Sequence, residues 1–172
     1  MMKFFLEDER ATLAFGQALA HCYIQEAANN MDLPPLMMQG ALGSGKTTLV
    51  RGFVNALPGA DQAEVSSPSF NIFNLYPTTP ETAHFDIYRL EGAYPGDELF
   101  DFLDDTGVIT IIEWFQYLDK AYQPQNALTL IWQAAPQSGR IVNLNATGQD
   151  ALAFLDRYKE GLEQFSEGLR RG

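Results

Sequence analysis

Gly40-Ala41-Leu42-Gly43-Ser44-Gly45-Lys46-Thr47 sets glycines, a lysine and a threonine at the spacing GxxxxGKT, which is chemistry suited to phosphate. A strand that enters a helix through such a loop leaves consecutive backbone N–H groups and the positive helix end facing one concavity, and a pyrophosphate fits there. Gly40, Gly43 and Gly45 allow backbone conformations and approaches that a Cβ would block. The Lys46 ammonium is placed to reach the terminal phosphates and the Thr47 hydroxyl to ligate a metal. The pattern predicts binding of a nucleoside triphosphate with Mg2+.

A phosphate loop of this kind needs a carboxylate partner, because hard cations take oxygen ligands and the water that attacks a γ-phosphate must be oriented. Two candidates stand out. Glu113 follows the β-branched run from Val108 to Ile112, and Asp86 lies within His84-Phe85-Asp86-Ile87-Tyr88-Arg89-Leu90. Each interrupts apolar surroundings, although either could be a strand-end carboxylate in solvent. Arg89 could neutralise phosphate charge or pair with a nearby carboxylate, and both readings stay open. His84 and Trp114, taken alone, read as packing residues.

The elements that must position these groups follow from periodicity. Leu13, Gly16, Ala20, Tyr23 and Ala27 recur at helical spacing, which predicts a first helix with Thr12 as its N-cap, closed by Asn29 and Asn30. Pro35 to Gln39 reads as the strand entering the loop and Lys46 to about Leu57 as the helix leaving it, stopped by Pro58 and Gly59. Phe70 to Tyr76 and Ala83 to Tyr88 form an antiparallel hairpin across Pro77 to Pro80. A short acidic helix around Asp97 to Leu103 precedes Val108 to Ile112, a strand buried on both faces. Ala127 to Ala134 and Arg140 to Ala146, joined across Pro136 and Gly139, make a second hairpin before a terminal helix from about Gln149, with a frayed Arg170-Arg171-Gly172. The order predicts an α/β protein of the P-loop NTPase type: a three-layer sandwich with a mixed parallel and antiparallel central sheet, as one domain over residues 1–172. Ligands of such sheets sit at the carboxyl ends of strands, where Gly40 and Glu113 both fall.

Composition narrows the partners. Twenty-two acidic against 11 basic residues give a formal net charge of −11, whereas gripping a phosphate backbone takes clustered Lys and Arg. Direct nucleic-acid binding is therefore disfavoured. Neither Gly52 to Tyr88 nor Leu90 to Asp119 contains a Lys or Arg, and the second stretch is strongly acidic. It reads as a solvated face or as a docking surface for a more basic partner. No run approaches the roughly 20 apolar residues of a membrane span, and the start turns acidic too early for a secretory signal, so a cytoplasmic location is expected. The single cysteine, Cys22, on an alanine-rich helical face, reads as a small buried residue.

GALGSGKTT at Gly40 to Thr48, RGF at Arg51 to Phe53, SPSF at Ser67 to Phe70, HFDIYRL at His84 to Leu90, DEL at Asp97 to Leu99 and IEW at Ile112 to Trp114 together resemble the TsaE (YjeE) family. Its members are bacterial ATPases required for threonylcarbamoyladenosine modification of tRNA. The resemblance spans most of the chain, and HFDIYRL followed by IEW is its distinctive part. It implies ATP as the nucleotide, bound across Gly40, Ala41, Leu42, Gly43, Ser44, Gly45, Lys46, Thr47 and Thr48, with Thr47 and Glu113 on Mg2+ and Asp86 in hydrolysis. It further implies a switch-like loop at Ser67 to Phe70, including Ser69, with Trp114 beside the nucleotide and Glu9 and Thr12 near its base. The implied partners are a threonylcarbamoyl transferase subunit (TsaD-like) and its companion (TsaB-like), so that tRNA is met only through the complex. Ala41 stands where the family commonly has aspartate, Ser44 where it has alanine, Ser69 where it has threonine and Phe115 where it has proline. None of these departures removes a phosphate or metal contact.

Two other readings compete. A small-molecule kinase fits the length and the loop, but it usually needs several Lys or Arg to clamp its acceptor. A GTP-dependent switch protein would be expected to carry an NKxD-like guanine-specificity run, and the sequence has none.

Overall fold

The computed structural model describes residues 1–68, 72–90, 92–135 and 138–169. Among them runs a seven-stranded mixed sheet: β1 (Met2–Leu6), β2 (Leu36–Gln39), β3 (Phe73–Tyr76), β4 (Thr82–Asp86), β5 (Ile109–Glu113), β6 (Ala127–Ala134) and β7 (Arg140–Thr147). Their spatial order is β1-β7-β6-β2-β5-β4-β3. The four central strands β6, β2, β5 and β4 are parallel, while β7 and β1 on one side and β3 on the other are antiparallel. Both expected hairpins are thus present, closing the sheet outward from a parallel centre.

Helices α1 (Glu9–Ala28), α2 (Lys46–Asn55), α3 (Asp97–Asp104) and α4 (Gln149–Leu169) cover the sheet unequally. Phe15 and Leu19 of α1, Phe53 of α2 and Phe154 of α4 form one core with Leu36, Met38, Ile109, Ile111 and Leu144 of the sheet. Across the sheet, Met37, Ala83, Phe85 and Ile112 meet Leu99 of α3, with Trp114 and Leu118. Strand alternation explains the division, since neighbours such as Ile111 and Ile112 point to opposite faces. Each fully buried large apolar side chain adds about 1.5–3 kcal/mol, so both layers contribute to stability.

The helix that follows the glycine-rich loop is held by an unusually close approach. A Cβ on Gly52 of α2 would lie 2.2 Å from the Leu13 carbonyl oxygen, and one on Gly16 of α1 would lie 2.3 Å from that of Leu49. The two backbones touch where glycine alone fits, and this fixes the position of the loop ahead of α2.

Several boundaries differ from expectation. Helix α1 starts earlier, because Asp8 and not Thr12 is its N-cap: Asp8 Oδ1 accepts from the Ala11 amide, and Thr12 Oγ1 donates to the Asp8 carbonyl from inside the first turn. Strand β1 was not expected from the sequence; Phe5 on its outward side hides the alternation of Met2, Phe4 and Leu6, and its partner β7 lies at the far end of the chain. Strand β4 runs Thr82 to Asp86 rather than to Tyr88, and α2 stops at Asn55. Glu113 is the last residue of β5, which starts at Ile109 and not at Val108. The expected starts and links at Phe70, Pro136 and Arg170 to Gly172 lie outside the described residues. No helix among the described residues is long and apolar enough to cross a membrane.

Candidate functional site

The carboxyl ends of β2, β4 and β5 converge on one cleft of about 500 Å³, a size typical of small-ligand sites. Alternation along β4 sends Ala83 and Phe85 into the α3-side core, so Thr82, His84 and Asp86 project toward the face that α2 covers. Glu113 joins them, sharing a face with Ile109 and Ile111, and the register sets it beside Asp86 on one side and Met38 on the other.

Between β2 and α2 the loop turns through Gly43 at φ 71° and Gly45 at φ 105°, left-handed values that favour glycine. Gly45 is the N-cap of α2 and no side chain caps that end, so the first-turn amides and the positive helix end face the cleft, as anion binding requires. A Cβ at Gly40 would strike the Trp132 Cβ at 2.7 Å and the Ser44 Oγ at 2.8 Å.

Lys46 is 4% exposed. Its Nζ donates to the main-chain carbonyls of Gly40 (2.9 Å) and Ala41 (3.1 Å) and lies 3.5 Å from the centroid of the Trp114 ring, a cation–π contact. Burial pulls its pKa below the ordinary lysine value, and the carboxylates of Glu113 and Asp86 oppose that shift. Trp114 adopts φ 65°, and the rings of Tyr88 and Tyr117 lie 4.7 and 5.9 Å from its own. It therefore belongs to the core and also lines the cleft.

Glu113, 2% exposed, accepts on Oε1 from Thr47 Oγ1 at 2.9 Å and bonds His84 Nε2 at 2.9 Å. Asp86 accepts from Ser67 Oγ at 2.6 Å on one oxygen and from the Tyr88 amide at 3.0 Å on the other. Two carboxylates, a hydroxyl and an ammonium thus share one corner. No group of three or more His, Cys, Asp or Glu able to hold a metal occurs among the described residues. Magnesium typically takes one or two protein oxygens and completes its shell with water and substrate phosphates. The donor set of Thr47 and Glu113 fits it.

Of the other residues singled out from sequence, Leu42, Gly43, Ser44, Gly45 and Thr48 line the cleft, as do Glu9 and Thr12 from α1. Gly40 and Ala41 serve through their carbonyls, which hold Lys46. Ser67 and Pro68 line the cleft, while Ser69 lies outside the described residues. Arg89 also lines it. Two residues with a place here went unassigned from sequence. His84 bonds the Glu113 carboxylate, although a lone strand histidine gives no sign of it. Arg140 lines the cleft with its Nε 3.6 Å from where a Gly45 Cβ would stand; only the pairing of β7 beside β6 and β6 beside β2 brings it there.

The family model for threonylcarbamoyl adenosine biosynthesis protein TsaE matches residues 6–142. A tRNA threonylcarbamoyladenosine biosynthesis protein TsaE from Synechocystis is 36% identical over 122 residues, covering 66% of this chain and 69% of the relative. Its counterpart from Bacillus subtilis is 31% identical over 114 residues, covering 66% and 70%. The crystal structure of Bacillus subtilis YdiB superposes with a TM-score of 0.71 over 93% of this chain and 95% of that one, at 22% identity, so it bears on the fold alone. The matched region contains the loop, both carboxylates and Trp114 together, and the chain belongs to the TsaE family of threonylcarbamoyl adenosine biosynthesis proteins.

Proposed function

We propose that this chain is a magnesium-dependent ATPase that serves the N6-threonylcarbamoyladenosine (t6A) modification of tRNA as one component of a complex. The observation that carries the reading is the Thr47–Glu113 hydrogen bond at the mouth of an uncapped helix, with the Lys46 ammonium nearby against the Trp114 ring. A hydroxyl and a carboxylate joined at 2.9 Å form a paired oxygen set for a divalent cation, and magnesium bound there would neutralise charge developing on the phosphoryl group.

The chain's own residues divide the remaining work. The amides of the Gly43 to Thr47 loop and the α2 end hold phosphate oxygens. Lys46, resting on two carbonyls, supplies the mobile charge. Asp86, beside Glu113 in the register and fixed on both oxygens, orients the attacking water. Glu9 and Thr12 line the cleft, Thr12 beside Gly45, and border the base.

Partners are a threonylcarbamoyl transferase subunit and its companion, which carry the tRNA, in keeping with a net charge of −11 on this chain. Turnover by the chain alone is slow, and a partner completes the site. ATP hydrolysis measured with and without the partner subunits tests this: the expected result is a marked rise on their addition. Equal, fast turnover by the isolated chain would overturn it.

A further inference from the structure

Behind Glu113 the structure holds a buried polar chain that the proposed chemistry leaves unused. His84 is fully buried and Tyr76 is 4% exposed. The imidazole bonds Glu113 through Nε2 at 2.9 Å and the Tyr76 hydroxyl through Nδ1 at 3.2 Å. That hydroxyl also lies 3.3 Å from the Ser66 carbonyl oxygen and accepts from Asn74 Nδ2 at 3.5 Å. We propose that Tyr76 and His84 are positioning residues that fix the Glu113 carboxylate for its cation and tie its setting to the backbone at Ser66.

The inference rests on the proposed reading of Glu113 and adds to it. An ionised carboxylate is an acceptor only, so Nε2 carries the hydrogen in that bond, and in the neutral ring Nδ1 is an acceptor. The single Tyr76 hydrogen then faces two acceptors at nearly equal distance, Nδ1 and the Ser66 carbonyl. A shift of the Ser66 backbone changes which acceptor it serves, and with it the anchoring of the imidazole. Ser67, the next residue, lines the cleft and bonds Asp86. Both carboxylates therefore connect to the same two-residue segment, one directly and one through His84 and Tyr76. A histidine and tyrosine placed only to satisfy each other in a core would have no need to end on the cleft carboxylate at one end and on a cleft segment at the other.

Outer-shell partners of metal ligands typically matter 10- to 100-fold in metal affinity. The test is a magnesium titration of ADP binding to the full chain, read by intrinsic tryptophan fluorescence, beside ADP binding in EDTA. In Tyr76→Phe the magnesium concentration at half-effect should rise about tenfold, with metal-free ADP affinity unchanged. If Tyr76→Phe does not fold, His84→Gln, which keeps an amide donor but loses the tyrosine link, is read in the same way. An unchanged magnesium midpoint in a folded variant, or an equal loss of metal-free affinity, would overturn the inference alone. An unaltered protein whose ADP binding ignored magnesium would remove the proposed function as well.

Discussion

Glu26 and Glu113 are both 2% exposed, yet their surroundings differ in kind. Glu26, on α1, meets the Arg157 guanidinium and the Tyr158 hydroxyl of α4, the latter at 2.8 Å. A buried carboxylate with a cation and a hydroxyl on its oxygens is satisfied, and it fastens two helices. Glu113 instead receives a threonine and a histidine, while the nearby lysine is turned onto main-chain carbonyls. Glu26 thus has a permanent cation on its oxygens, whereas the basic partner bonded to Glu113 is an imidazole, a cation only when protonated. A buried carboxylate that lines a cleft, unlike one closed between two helices, is a candidate for function more than for support.

Glutamine at each position sharpens the contrast, and the largest effect is expected at Glu113. Glu113→Gln should lower magnesium-dependent turnover by about 100-fold or more, the upper end of what even outer-shell changes cost, while thermal stability stays level because the amide still accepts from Thr47. Glu26→Gln should do the reverse: a lower Tm, because Arg157 loses its counter-charge, with turnover unchanged. Steady-state kinetics and thermal melts on the two variants check this, and a Glu113→Gln protein with full magnesium dependence would dissolve the distinction.

Lys46 carries the next effect. Lys46→Met removes an ammonium that burial disfavours, so nucleotide affinity should fall about 10- to 100-fold, the worth of one or two charge-assisted hydrogen bonds, while stability at neutral pH rises. The sign follows from the depressed pKa: the unfolded chain holds this proton more tightly than the folded one, so the cost to folding is present at neutral pH and fades as pH climbs through the folded value. The stability gap between variant and parent should therefore narrow in alkaline buffer, as chemical denaturation at two pH values would show.

The candidate corner was more legible in the sequence than the fastening one. Lys46, Thr47, Asp86 and Glu113 stand in short motifs whose spacing carries their chemistry, and the buried strand ending on Glu113 announces itself by its β-branched run. Glu26 and Arg157 lie 131 positions apart, and no local pattern joins them. The same cause hid Arg140 and strand β1, both placed by pairings between distant segments. The start of α1 was misjudged for a local reason: Asp8 and Thr12 can each cap a helix, and the choice is settled when the Thr12 hydroxyl turns back to the Asp8 carbonyl. His84 was legible as buried but not as a partner of Glu113, because strand register and not sequence spacing brings them together.

The smallest effect tests whether the Glu26 cluster fastens by charge or by shape. Tyr158 lies tilted against Phe154, ring centroids 4.9 Å apart, and donates its hydroxyl to Glu26. Burial, with the bond to Glu26, pushes its phenol well above the ordinary value, so the donor hydrogen stays in place at any pH where the protein is handled. Tyr158→Phe keeps the ring and deletes one donor, which should cost about 1 kcal/mol of stability, less than Glu26→Gln, because Arg157 still holds the carboxylate. Denaturant unfolding of the single and double variants measures the coupling. If the double variant loses no more than Glu26→Gln alone, the hydroxyl acts only through Glu26 and the clamp is electrostatic. Losses that simply add would instead mean that the Tyr158 hydroxyl contributes independently of the Glu26 charge, with Glu26 an ordinary buried acid and its contrast with Glu113 one of degree.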